Sequence, residues 1–115
     1  MKRDQTFHER LIPMLVEGLG VQSYLEIGTD QNQTISKVVC PARFGVDPKV
    51  VECEGCVMFK MTCDEFVLEN AAKLGPFDVC FIDALHDANS VRKDFLSIWP
   101  YISTDGLVLL HDTSP

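Results

Sequence analysis

Two runs decide the architecture: FDVCFIDA at residues 77–84 and GLVLLHD at residues 106–112. Their centres, VCFI and LVLL, are continuously apolar rather than alternating. A strand carries that pattern when helices cover both of its faces, the condition of a parallel sheet. Between the two runs, residues 88–99 place Val91, Phe95, Ile98 and Trp99 at helical spacing, the inner face of a crossover helix. A right-handed crossover makes its two strands neighbours in the sheet.

Upstream, the same alternation repeats. Residues 5–18 carry Phe7, Leu11, Met14 and Leu15 at helical spacing up to Gly18 and Gly20, with Pro13 inside. A short apolar segment, SYLEIG, follows at 23–28, and residues 34–39 are expected to form a helix that Pro41 ends. RFGVD at 43–47 and VMFKMT at 57–62 are expected to be strands. Thr62-Cys-Asp-Glu65 matches a capping box, so a helix should run on to Lys73 and stop at Gly75-Pro76. Strand and helix in this rhythm make a doubly wound α/β sheet.

Composition narrows the function. The chain has 115 residues, enough for one domain with a core. Its 46% hydrophobic and 23% charged content argues against disorder. The net charge of −7, with scattered basic residues, excludes a nucleic-acid platform. A small-molecule substrate suits the acidic excess. No apolar run nears the roughly 20 residues of a membrane span, and MKRDQTFHER has no signal-peptide character. The expectation is a cytoplasmic protein without a membrane partner. Five cysteines, 40, 53, 56, 63 and 80, suit reduced thiols better than a disulfide framework. The lone C-x-x-C at 53–56 falls short of a structural zinc site.

Ligands of such sheets bind at the carboxyl ends of the strands. Polar residues cluster at all five: Glu26, Gly28 and Thr29; Asp47; Thr62 to Asp64; Asp83 to His86; His111 and Asp112. The loop after Gly28 lacks the further glycines of a dinucleotide fingerprint, which favours a nucleoside cofactor without a pyrophosphate. Asp47 lies 19 residues beyond Gly28, near the roughly 20 expected of a ribose-binding acid. The structural alternative makes Gly28 a turn glycine and Asp47 a cap on Pro48.

The segments YLEIGTDQNQTISKV, FGVDP, MTCDEF, FDVCFIDALHDANSVRKDF and GLVLLHDTSP resemble, in order, the motifs of class I S-adenosylmethionine-dependent methyltransferases. The likeness spans residues 21–115 and is strongest to small bacterial O-methyltransferase-like domains, similar to macrolide-sugar and catechol O-methyltransferases. It implies a three-layer Rossmann-like fold of about five mainly parallel strands, without the usual last two. It also implies one S-adenosylmethionine-binding domain over 1–115 that methylates an oxygen of a small acceptor. Under that resemblance Glu26, Gly28 and Thr29 cradle the methionine part, Asp47 holds the ribose, and Cys63 and Asp64 meet the adenine. Asp83 follows the fourth strand. In metal-dependent relatives it binds Mg²⁺ with the pair ending the fifth strand, here His111 and Asp112, and a general base stands at His86. His111 is a softer ligand than Mg²⁺ prefers. The alternative for His86 is a loop histidine bonded to Asp83 or Asp112. For the function it is a non-catalytic nucleoside-binding module.

Three positions depart from the family pattern. Asn32 and Ala84 replace common glycines, and Thr104-Asp105-Gly106 keeps one glycine of a pair. Asparagine tolerates the left-handed backbone that a glycine turn needs. Without the last two strands, the strand at 106–112 is left as a sheet edge that invites pairing with another chain. The expectation is therefore either a homo-oligomer or a piece of a longer enzyme.

Overall fold

The computed structural model describes the backbone of residues 6–84 and 88–112, and the side chains of these except 6–8, 84, 88 and 112. The elements run α1 (Thr6–Leu19), β1 (Ser23–Ile27), β2 (Ala42–Val46), β3 (Val57–Phe59), α2 (Cys63–Phe66), α3 (Ala72–Leu74), β4 (Phe77–Ala84), α4 (Ala88–Ile98) and β5 (Ile102–Asp112). Five strands form one parallel sheet in the order β3-β2-β1-β4-β5. The sequence order reverses at β1, which pairs with both β2 and β4, so the switch point lies between β1 and β4.

Alternation along the strands divides the core into two layers. Leu25, Ile27, Phe44, Val46, Cys80 and Ile82 face α2 and α4, where Phe66, Val91 and Ile98 meet them. Tyr24, Val79 and Phe81 face the other way, onto Ile12 and Val16 of α1. All five residues of β1 are buried, as a central parallel strand requires. Helices on both faces of one sheet complete the three layers.

The β1–β4 pair is clamped at its amino end. The Asp78 carboxylate accepts from the amides of Gln22 and Ser23, at 2.9 and 3.3 Å, while the Ser23 hydroxyl accepts from the Asp78 amide at 3.0 Å. Those donors hold the Asp78 carboxyl below its ordinary range, because they favour the charged form.

Most expected elements form within a residue or two of their predicted bounds. The capping box at Thr62 is complete: its hydroxyl accepts from the Glu65 amide, and the Glu65 carboxylate accepts from the Thr62 amide. The helix it starts runs on through a wider π-type turn, Val67–Ala71, to Leu74. Gly20 ends α1 in the left-handed region at φ 62° and donates to the Val16 carbonyl.

Three expectations need correction. Residues 34–39 do not form an α-helix; only a 3₁₀ turn, Ile35–Lys37, appears. Two β-branched valines and Pro41 follow within four residues, too soon for a second helical turn. Trp99 is 54% exposed and lies against Phe95, with ring centroids 5.3 Å apart, rather than in the core. Strand β5 starts at Ile102, earlier than expected. Phe77 pairs with Ile102 but Val79 with Leu107, so extra residues of β5 bulge past Asp78.

Candidate functional site

The carboxyl ends of β1, β2 and β4, the stretch after β3 and the start of α4 surround one cavity of about 590 Å³. Gly28, Asp47, Cys63, Asp64 and Asp83 line it, as do Asp30, Gln31, Pro48, Lys49, Met61, Ser90, Lys93 and Asp94. It lies at the switch point, where doubly wound sheets take their ligands, and its size suits a small molecule.

Gly28 occupies the left-handed region at φ 87°, and its amide donates to the Val46 carbonyl at 2.8 Å. A Cβ on it would sit 2.3 Å from the Asp83 carbonyl oxygen. What demands glycine here is thus the backbone of β4, a neighbour within the fold. That contact brings the first loop against the end of β4 and shapes the cavity floor.

Asp47 is held at both oxygens. Oδ2 accepts from the Asp30 amide at 2.9 Å, and Oδ1 accepts from the Lys49 amide at 2.8 Å. The bond to Lys49 is the turn that the structural alternative expected after Asp47, and it coexists with a place in the cavity wall. Each carboxylate oxygen keeps lone-pair capacity for a ligand hydroxyl.

Asn32 fulfils the expectation of a left-handed asparagine, with φ 65°. Its amide nitrogen also donates to the carbonyls of Val51 and Glu52, at 2.9 and 3.2 Å. The side chain that replaces a glycine therefore fastens the segment after Asp47 to the first loop.

Glu26 and Thr29, expected at the cofactor, do not line the cavity. Thr29 is buried, and its hydroxyl has no hydrogen-bond partner among the described residues. Glu26 is 2% exposed and accepts a hydrogen bond from the Tyr24 hydroxyl. Burial, reinforced by the charges of Asp83 and Asp47, pushes its carboxyl up to about 8 against an opposing effect of the Tyr24 bond. Between 4.5 and about 8 the folded protein keeps a proton on Glu26 that the unfolded chain has lost. Stability should then fall as pH rises through that window. Urea unfolding at about pH 5 and about pH 8 checks this: Glu26→Gln is expected to lose less stability than wild type, and equal slopes would sink the assignment.

Cys63 is buried at the start of α2, and burial, with Asp94 beside it, pushes its thiol up. Across the cavity mouth Lys93 of α4 reaches Asp64 at 3.0 Å. Both partners are largely exposed, so the pair orients side chains more than it stabilises the fold.

Asp83 and His111 are directly paired in the β4–β5 register, as neighbouring strands required. The Asp112 side chain, and His86 altogether, lie outside the described residues. Among the described residues no group of three histidine, cysteine or acidic side chains gathers as a metal site. Sequence reasoning missed Asp30, Lys49, Lys93 and Asp94. The latter two lie on the second turn of α4, where helical spacing assigned only the apolar face.

The family model of the methyltransferase domain matches residues 25–113. The chain belongs to this methyltransferase domain family. Solved structures agree on the fold. MycE methyltransferase from the mycinamycin biosynthetic pathway, in complex with Mg and SAH, superposes with a TM-score of 0.68 at 19% identity, over 98% of this chain and 36% of its own. Its complex with Mg, SAH and mycinamycin VI gives 0.69 at 18%, over 90% and 32%. A protein from Staphylococcus aureus assigned as a caffeoyl-CoA O-methyltransferase gives 0.67 at 21%, over 96% and 58%. The methyltransferase domain described here thus spans about a third of MycE and somewhat over half of the staphylococcal protein. No curated protein sequence matches it. Among its described residues no helix is long and apolar enough to cross a membrane.

Proposed function

We propose that this methyltransferase domain binds S-adenosylmethionine in the cavity over Gly28 and transfers its methyl group to an oxygen of a small acceptor. The observation that carries this reading is the charge of the cavity wall. Asp30, Asp47, Asp64, Asp83 and Asp94 face two cations, Lys49 and Lys93. A net acidic wall favours a ligand with a positive centre, such as a sulfonium, and opposes the pyrophosphate of a dinucleotide. The relatives bound to SAH, with the same fold, support the choice of nucleoside.

In this reading S-adenosylmethionine supplies an activated methyl group, and the chain's residues position it and manage a proton. Asp47, held by two backbone amides, presents acceptor lone pairs to the ribose hydroxyls. Cys63 and Asp64 border the adenine, and the loop at Gly28 borders the methionine part. Displacement at the methyl carbon requires the acceptor hydroxyl to lose its proton. His86, three residues beyond Asp83, is the proposed acceptor of that proton, on the strength of the sequence. In the same proposal Asp83, His111 and Asp112 would hold a Mg²⁺ ion, which would supply positive charge beside the acceptor oxygen.

Calorimetric titration of the chain with S-adenosylhomocysteine, with and without Mg²⁺, tests the reading. Saturable binding is expected, and tighter binding with Mg²⁺ would support the metal. A well-folded sample that ignores S-adenosylhomocysteine would sink the proposal, and preference for NAD would replace it.

A further inference from the structure

Residues 53–56 form a tight turn in which the Cys56 amide donates to the Cys53 carbonyl at 3.1 Å. Gly55 supplies the left-handed φ, 80°, that the third position of such a turn requires. Arg43 supports the turn from behind, donating to the Glu54 carbonyl at 3.2 Å and to the Val38 carbonyl at 2.9 Å. The two thiols converge, with their sulfurs 2.8 Å apart. Both cysteines are half-buried, whereas Cys63 and Cys80 are buried. The proposed methyl transfer uses neither thiol of the turn.

We propose that Cys53 and Cys56 are a reversible dithiol–disulfide site oxidised by a hydroperoxide. The proposal rests on placement: the two half-buried sulfurs meet across one turn, and a thiolate formed on either of them has the other thiol beside it as a hydrogen-bond donor.

One of the two sulfurs, as its thiolate, attacks a peroxide oxygen; the S–O bond forms as the O–O bond breaks, and the other oxygen, once protonated, leaves as an alcohol, or as water when the oxidant is hydrogen peroxide. The second thiol then gives up its proton and attacks the first sulfur. The S–S bond forms, the S–O bond breaks, and the hydroxyl leaves as water. The two sulfurs together lose two electrons, which the peroxide gains. A small thiol reverses the bridge by exchange. A four-residue turn holds its end Cα atoms within about 7 Å, close to the span of a disulfide, so closure needs little movement of the backbone.

Peroxide treatment of the whole chain, followed by alkylation under denaturing conditions and mass spectrometry, tests the proposal. Cys53 and Cys56 are expected to lose two hydrogens together and to recover them with dithiothreitol, while Cys40, Cys63 and Cys80 stay alkylatable. In Cys53→Ser and in Cys56→Ser the bridge cannot close, and dimedone should trap a sulfenic acid on the remaining cysteine of the turn in at least one of the two. Survival of both thiols under a dose that oxidises Cys40, or oxidation that leaves no bridge between them, would overturn the site. The wild-type measurement stands whether or not the variants fold.

Discussion

Gly28→Ala is expected to lower the thermal midpoint by about 15 °C or more and to abolish S-adenosylhomocysteine binding. Two costs combine. The left-handed backbone charges a side chain about 1–2 kcal/mol, and forcing a methyl into a packed site adds about 1–3 kcal/mol. The second cost is at its upper end here, because the obstruction is the Asp83 backbone oxygen, 2.3 Å from the added carbon, and not a side chain that can turn away. A total of about 4–5 kcal/mol corresponds to roughly 15 °C or more in a domain of this size. Relief by movement would part the loop from β4 and open the cavity floor. Thermal unfolding followed by circular dichroism, with calorimetry on the folded fraction, measures both effects. An unchanged midpoint would show that the loop and β4 are not in contact.

Asp47→Ala is expected to weaken S-adenosylhomocysteine binding by about 10- to 100-fold, or 1–3 kcal/mol, the cost of removing charged hydrogen bonds. The same substitution strands the amides of Asp30 and Lys49, so some stability should go with it. Asp47→Asn separates the two effects. Its single carbonyl oxygen can still serve one backbone amide, but the variant has lost the charge and half of the acceptor capacity. It should therefore keep more stability than Asp47→Ala while binding nearly as poorly. If Asp47→Ala binds like wild type, Asp47 is a turn residue and nothing more.

How much of this was legible depended on whether a signal was local. Strand β4 could be read to the residue, because burial on both faces forces an uninterrupted apolar run. The capping box could be read because its two bonds join residues three apart. Asn32 could be read as left-handed, but its grip on the carbonyls of Val51 and Glu52 could not, since nothing in the sequence says where that segment passes. The 3₁₀ turn at Ile35–Lys37 stands where a helix over 34–39 is expected, because the valines at 38 and 39 and Pro41 stop a second turn. In the candidate site, strand ends pointed to Gly28, Asp47, Cys63, Asp64 and Asp83. The same reasoning pointed to Glu26, which lies outside the cavity lining and accepts a hydrogen bond from Tyr24. Lys93 and Asp94 escaped because tertiary packing alone turns the start of α4 toward the cavity.

The junction of β1 with β4 has a kinetic consequence. β1, β2 and β3 follow one another closely and can pair early, but the clamp between Ser23 and Asp78 joins residues 55 apart. Contacts of that separation must overcome loop-closure entropy before they return any stability. One wall of the cavity belongs to the early half of the sheet and the facing wall to the late half. No partly folded state that holds only one half contains a cavity, so ligand added during refolding should accelerate nothing before that junction closes. It should act as a latch on the finished sheet, slowing unfolding more than it hastens folding.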